Sequence, residues 1–461
     1  MADLAIEFAG IKSPNPFWLA SAPPTNSGAQ IHRAFEAGWG GAVWKTIGSP
    51  VLNVSNRYGA WDYAGQKMLA INNVELISDR PLDVNLREIA DVKRHWPDRA
   101  VIVSAMVESS VQAWGDIVHL IEDTGADGIE LNYGCPHGMS ERGMGSAVGQ
   151  VPEYCERITR WVKDIARIPV IVKLTPNVTN IVHPARAAVS ASADALSLIN
   201  TINSIVGVDL DTLEISPNIG GKGGHGGYAG PAVKPVALNM LSALGTDEVV
   251  SSSGVPISGM GGIANWKDAA EFLLLGATTL QLCTTVMHYG FRIVEDLYDG
   301  LANWMDAKGF ASIQDFRGKA LPRISDFKNF DLSFRAVARI DPEKCIKCNL
   351  CYVACNDTAH QCIDLVSTDG SVVPPLAYDV RSNGKDEAVK SRPQPRVREQ
   401  DCVGCRLCHN VCPVVGCIDM VELPPCRPSV TWDELSKAQP EVTESWDAMN
   451  EYRAAQGIHI H

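Results

Sequence analysis

One cysteine spacing occurs twice in the last third of this chain, and it constrains the fold more than any other feature. Cys345, Cys348, Cys351 and Cys355 stand at C-x2-C-x2-C-x3-C, and Cys402, Cys405, Cys408 and Cys412 repeat that spacing, with Pro413 following. Four thiolates so spaced suit an iron–sulfur cubane, in which every iron needs a sulfur ligand and one tight loop can reach three of them. In paired runs of this kind the fourth cysteine ligates the other cluster. One [4Fe–4S] cluster is therefore assigned to Cys345, Cys348, Cys351 and Cys412, and a second to Cys402, Cys405, Cys408 and Cys355. Zinc prefers paired C-x2-C hooks without the x3 cysteine, and a disulfide framework needs an exported chain. The first run departs from the pattern in ending on Asn356 instead of proline, which touches no ligand.

A chain of 461 residues is too long for this module alone and implies further domains. Its 40 Lys and Arg against 53 Asp and Glu give a net charge of −13, which argues against nucleic acid as the main partner. No apolar run is long enough to span a membrane. The acidic start MADLAIEFAG has neither the basic opening nor the apolar core of a signal peptide. A cytoplasmic location is expected. Fourteen cysteines in such a chain read as metal and redox chemistry. Cys135, Cys155, Cys283, Cys362, Cys417 and Cys426 lie outside the two runs.

The first 290 or so residues alternate short apolar runs with helical patterns. Eight strands are expected, at Phe17–Ser21, Gly41–Thr46, Val101–Val107, Gly128–Gly134, Val170–Thr175, Ala195–Thr201, Pro256–Gly261 and Thr279–Thr284. Their apolar character is continuous, as in parallel strands buried on both faces. The expected fold class is α/β: a (β/α)8 TIM barrel over 1–325, a linker over 326–337, a bacterial-type two-cluster ferredoxin domain over 338–425 and an acidic tail over 426–461. A doubly wound sheet would offer a glycine fingerprint after its first strand, and Ser21-Ala22-Pro23-Pro24 is not one. The stretch between the cysteine runs, Asn356 to Asp401, reads as a surface excursion. The tail is expected to be helical between Thr431 and Ala455, and its closing Ile-His repeat reads as a frayed terminus.

Two strand-to-helix connections are long, from Ile47 to Ala100 and from Ile202 to Val255, and long loops at strand C-termini are where barrel sites form. The second holds a glycine run, 218–227. Its lone G-x-G-x-x-G lacks a strand–turn–helix context, so a lid or close-packed turn is expected there. Residues with chemistry should sit at strand ends: Ala20 and Ser21, Lys45 and Thr46, Asn132 to Cys135, Lys173, Asn200 and Thr201, Gly261 and Gly262, Cys283 and Thr284. Glycines after strand seven and small residues after strand eight fit a phosphate held by backbone N–H groups. Two lysines in a barrel interior are costly unless they serve an anionic group, and they fit a flavin.

These residues also carry a resemblance. The segments Ala37–Thr46, Asn72–Ser78 and Asn132–Gly138, with Lys173-Leu-Thr-Pro-Asn-Val-Thr and Gly259-Met-Gly-Gly-Ile, resemble the FMN barrel of dihydropyrimidine dehydrogenases and, more distantly, dihydroorotate dehydrogenases. The order of barrel then ferredoxin module is similar to the bacterial catalytic subunit of the two-subunit enzyme (PreA-type). The resemblance implies reduction of uracil and thymine to their 5,6-dihydro forms. Cys135 would protonate pyrimidine C5 while reduced FMN gives hydride to C6. Asn73, Asn132, Asn200 and Thr201 match base-binding positions. Ala20, Ser21, Lys45, Thr46, Lys173, Gly230, Gly261, Gly262, Cys283 and Thr284 match FMN contacts. Electrons would come through both clusters from a partner FAD- and NAD(P)H-binding subunit (PreT-type) in a hetero-oligomer. Gly134 stands where a serine usually precedes the cysteine, and Met260 where a threonine is common. His137 and His225 are given no role. Dihydroorotate oxidation, and an electron-transfer flavoprotein without catalysis, are the alternative functions.

Overall fold

The computed structural model describes residues 2–63, 66–136, 138–373, 392–425 and 428–455. His137, Cys426, part of the 356–401 excursion and the terminal Ile-His repeat lie outside them. Within residues 1–324, which form one compact unit, eight parallel strands close into a barrel: β1 Phe17–Leu19, β2 Gly41–Gly48, β3 Ala100–Met106, β4 Gly128–Asn132, β5 Val170–Lys173, β6 Ala195–Leu198, β7 Ile257–Met260 and β8 Thr279–Leu282. The strands follow one another round the barrel in chain order, β8 pairing with β1. Every residue of β3 to β8 is buried, so the continuous apolar runs follow from burial on both faces. The helices between them start on local caps. Ser110 accepts a hydrogen bond from Ala113 N at 3.2 Å ahead of Val111–Glu122, and Asn265 accepts from Lys267 N and Asp268 N ahead of Trp266–Leu274.

The long connections build one further structure. Tyr58–Tyr63 and Gln66–Asn73 from the first join Ile202–Ser204 and Gly226–Ala229 from the second in a four-stranded antiparallel sheet. The glycine run is thus strand and tight turn. Its glycines permit close approach: a Cβ on Gly226 would collide with the Asn72 side chain, and one on Gly227 with Thr201 Oγ1.

Residues 325–461 form a second compact unit. The stretch 326–337, expected as a linker, instead carries a helical turn at Phe327–Asn329 and the start of β9, Arg335–Ile340. Strand β9 pairs antiparallel with β10, Ile418–Leu423, in the register Arg335 to Leu423 and Ile340 to Ile418. The buried Ala338 belongs to the small cysteine-rich core, with Ile340 packed against it, and Val337 is buried on the other face, which turns a charged-looking stretch into a strand. Ile363–Val366 and Gln394–Val397 form a second ribbon. Among the described residues the tail holds three short helices, Trp432–Ala438, Pro440–Glu444 and Trp446–Ala455, the first two broken at Gln439 because the residue before proline is turned out of helical conformation. No helix among the described residues is long and apolar enough to cross a membrane.

Candidate functional site

One cavity opens at the C-terminal ends of the barrel strands, walled on one side by the four-stranded sheet. Its lining brings together Cys135, the four expected base-binding residues and the ten expected cofactor contacts. They arrive from the ends of β1, β2, β4, β5, β6, β7 and β8 and from both long connections, as barrel chemistry requires.

A chain of amide and hydroxyl groups runs across this cavity. Asn132 Nδ2 donates to Thr46 Oγ1 at 2.9 Å, and Thr46 Oγ1 lies 2.9 Å from Ser104 Oγ and 3.1 Å from Ser21 Oγ. Asn132 Oδ1 accepts from Asn200 Nδ2 at 3.0 Å and from the Gly134 amide at 3.1 Å. Asn200 Oδ1 accepts the Thr201 amide at 2.8 Å. Asn73 Nδ2 donates to the Gly227 carbonyl at 2.9 Å, tying it to the strand opposite. Cys135 is 9% exposed, and its carbonyl accepts the Ser146 amide at 3.0 Å, which fixes the loop carrying the thiol.

Both interior lysines have carboxylate partners, which the sequence reading did not name. Lys173 Nζ lies 3.3 Å from Glu130 Oε1, and Glu130 is wholly buried. Ser197 Oγ and Gln281 Nε2 donate to Glu130 Oε2 at 2.9 and 3.0 Å. Lys45 is ion-paired with Glu75 Oε1, and Tyr58 OH donates to Glu75 Oε2. Burial, with Glu75 beside it, pushes the Tyr58 phenol well above its ordinary range. The same two causes outweigh the pull of Lys173 at Cys283, whose thiol is pushed up to about 12 and stays protonated. Sequence reasoning missed Glu75, Glu130, Tyr58 and Gln281. For Glu130 the signal was a charged residue inside the apolar strand Gly128–Asn132, tolerable only with a partner.

The cavity suits a planar phosphorylated cofactor. Gly261 and Gly262 hold φ of +119° and +83°, where a side chain is strained. A Cβ on Gly262 would stand 2.8 Å from Lys234 N and 3.0 Å from Gly230 O, so bare backbone lines this end. Gln281 is among the lining residues, and its buried side-chain carbonyl oxygen has no hydrogen-bond partner among the described residues.

In the second unit the eight run cysteines sort into two small cavities. One is lined by Cys345, Cys348, Cys351 and Cys412, the other by Cys402, Cys405, Cys408 and Cys355. Each takes three cysteines from one run and the fourth from the other. Lys347 N donates to Cys345 Sγ at 3.4 Å, the N–H···S contact common at such sites. A cluster of His32, Asp91 and His95 elsewhere has metal-like spacing. There Trp96 Nε1 donates to His32 Nδ1 at 2.9 Å, which places the His32 proton on Nε2, facing Asp91, and leaves no lone pair for an ion.

Comparison with known proteins agrees with this architecture. Residues 3–305 match the family model described as dihydroorotate dehydrogenase, and residues 338–376 match a 4Fe-4S dicluster domain. The chain is 39% identical over 422 residues, 91% of its own length, to a protein of Escherichia coli K12 named NAD-dependent dihydropyrimidine dehydrogenase subunit PreA, of which 96% is covered. It is 39% identical over 328 residues to the chloroplastic dihydropyrimidine dehydrogenase (NADP(+)) of Arabidopsis thaliana, covering 69% of this chain and 77% of that one. It is 34% identical over 328 residues to the catalytic subunit of dihydroorotate dehydrogenase B (NAD(+)) of Pyrococcus abyssi, covering 69% of this chain and 99% of that one.

Proposed function

We propose that this chain, which belongs to the dihydroorotate dehydrogenase family and within it to the dihydropyrimidine dehydrogenase subunits of the PreA type, reduces the 5,6 double bond of uracil or thymine. The observation that carries this reading is the single cavity shared by Cys135, the hydrogen-bonded chain Asn132–Asn200–Thr201 and two paired lysines. A pyrimidine edge alternates carbonyl and N–H, and a carboxamide offers both an acceptor and a donor. Asn73, Asn132 and Asn200, held by their own hydrogen bonds, are preorganised to read such an edge. Cys135 holds the proton delivered to C5, the role of a positioned general acid, which a thiol can fill.

FMN, held by the bare backbone of Gly261, Gly262 and Gly230, by Ala20, Ser21, Thr46, Cys283 and Thr284, and by Lys45 and Lys173, would supply hydride equivalents to C6. The two lysine ammonium groups, each aimed by its carboxylate partner, suit hydrogen bonds to the anionic reduced ring. Two [4Fe–4S] clusters, in the two cysteine cavities, would supply single-electron relay from a separate FAD- and NAD(P)H-binding subunit of the PreT type. The redox use of so many unbridged cysteines fits the cytoplasm.

The test is anaerobic. The protein, with iron and FMN quantified, is chemically reduced and mixed with uracil, thymine or orotate while flavin reoxidation is followed. Fast reoxidation by uracil or thymine is expected. Cys135→Ala should slow it at least a hundredfold with FMN content unchanged, the size of effect of losing a positioned acid. Reoxidation by orotate alone would shift the assignment to dihydroorotate chemistry, and reoxidation by none would leave an electron carrier.

A further inference from the structure

Two buried cysteines outside the runs abut the two cysteine cavities. Cys362 is 4% exposed and lines the cavity of Cys355 and Cys402. Cys417 is 3% exposed and lines the cavity of Cys345 and Cys412. Each lies C-terminal to the fourth cysteine of its own run and immediately before an isoleucine that opens a strand, Ile363–Val366 or β10. The placement is repeated. Cys362 Sγ stands 3.5 Å from Cys355 Sγ and also touches Cys402, and Cys417 Sγ, which offers its hydrogen to the Asp341 carbonyl at 3.8 Å, likewise touches Cys412 and Cys345.

We propose that Cys362 donates an S–H hydrogen bond to the ligand sulfur of Cys355 and thereby raises the reduction potential of that cluster. The inference rests on the two-cluster reading. Ligands on different irons of one cubane spread to its corners, so a sulfur in contact with a ligand sulfur stands outside the ligand set. It keeps its proton and acts as a positioning residue. A thiol is a weak donor, yet buried in a small apolar cavity it has no water to compete with. Reduction adds one negative charge to the cluster, part of it on the ligand sulfurs. A donor to such a sulfur stabilises the reduced form, and hydrogen bonding to sulfur is one of the recognised determinants of cluster potential.

The experiment is an anaerobic redox titration of the full-length protein followed by electron paramagnetic resonance, with iron counted beforehand. About eight irons per chain in the unmodified protein establishes the two-cluster premise, and about four would overturn that premise by itself. For Cys362→Ala, iron content should be unchanged, one midpoint potential should fall and the other should stay. The loss of about one hydrogen bond corresponds to roughly tenfold in the reduction equilibrium, or about 59 mV for one electron. Cys362→Ser, which keeps a donor, should recover part of the shift. An unmoved potential in Cys362→Ala overturns the proposal. So does iron falling to about four per chain in both variants, which would make Cys362 a ligand or a structural necessity.

Discussion

Glu130 Oε1 lies 3.3 Å from Lys173 Nζ in the closed interior of the barrel, with both side chains almost wholly out of water. Ser197 and Gln281 hold the other carboxylate oxygen, so the acid is fixed and the lysine is aimed. A cation at the end of β5 is affordable only because β4 brings an acid beside it. Removing one member of a buried pair leaves an uncompensated charge and costs about 3–5 kcal/mol. Glu130→Gln should therefore lower the unfolding temperature of the barrel and reduce FMN retention. Lys173→Met in the same background should restore most of the stability and none of the FMN. Calorimetry and flavin absorbance measure the two effects, and a stable, flavin-replete single variant would refute the assignment.

The second prediction concerns a position where this chain departs from its family resemblance. Gly134 has no side chain, and a Cβ built there would stand 2.6 Å from Asn200 Cγ and closer still to its Cβ and Nδ2. Asn200 thus occupies the space that a serine at 134 would claim, and from there it reaches Asn132 at 3.0 Å. Gly134→Ala should push Asn200 away and break the Asn132–Asn200–Thr201 chain. About a tenfold rise in KM for the pyrimidine, the worth of roughly one hydrogen bond, is expected with kcat and FMN content much less affected. Adding Asn200→Gly should then cost less than it does alone, because contacting residues are not additive. Steady-state kinetics of the four proteins would decide it.

The barrel was legible because parallel strands buried on both faces write themselves as continuous apolar runs, and all eight appeared within a few residues of their expected bounds. The four-stranded sheet was not. Its short strands pair residues such as Asn73 and Gly227, far apart in the chain, and glycines chosen for close approach read as loop. The lysines at 45 and 173 could be placed from strand ends, but their partners could not. Glu75 sits in a connection, and nothing local says that β4 and β5 will set Glu130 beside Lys173. The crossed sorting of the cysteines needed only the repeated spacing. The strand β9 needed its partner β10, more than seventy residues on.

A third prediction is electrostatic and lies away from the cavity. Glu88, on helix Leu82–His95, accepts from the Gly28 amide at 2.7 Å and from Arg80 Nη1 at 2.9 Å. Gly28 opens the neighbouring helix Gly28–Ala37. The Arg80 guanidinium, with help from the Gly28 amide, holds the Glu88 carboxyl below its ordinary 4.5 despite partial desolvation. A depressed carboxyl contributes stability above its unfolded pKa and loses it as pH falls through the folded value. Both partners are partly exposed, so the contribution is about 1 kcal/mol after solvent screening. Glu88→Gln should cost that much in urea unfolding near neutral pH, and the gap from the unmodified protein should close as pH falls below about 4. A gap that widens in acid would refute the assignment.

The last prediction tests the crossed ligation. Cys412 belongs to the second run by sequence but lines the cavity of Cys345, Cys348 and Cys351. Cys355 belongs to the first run and lines the cavity of Cys402, Cys405 and Cys408. If ligation followed the runs, Cys412→Ala and Cys348→Ala would damage different clusters. With crossed ligation they damage the same one, and Cys355→Ala pairs with Cys405→Ala. Loss of one thiolate typically costs a cubane its fourth iron or the whole cluster. The paramagnetic resonance spectrum of Cys412→Ala should therefore lose the same reduced-cluster signal as Cys348→Ala and keep the one lost in Cys405→Ala. Matching spectra for Cys412→Ala and Cys405→Ala would mean that each run closes on itself and would refute the crossed assignment.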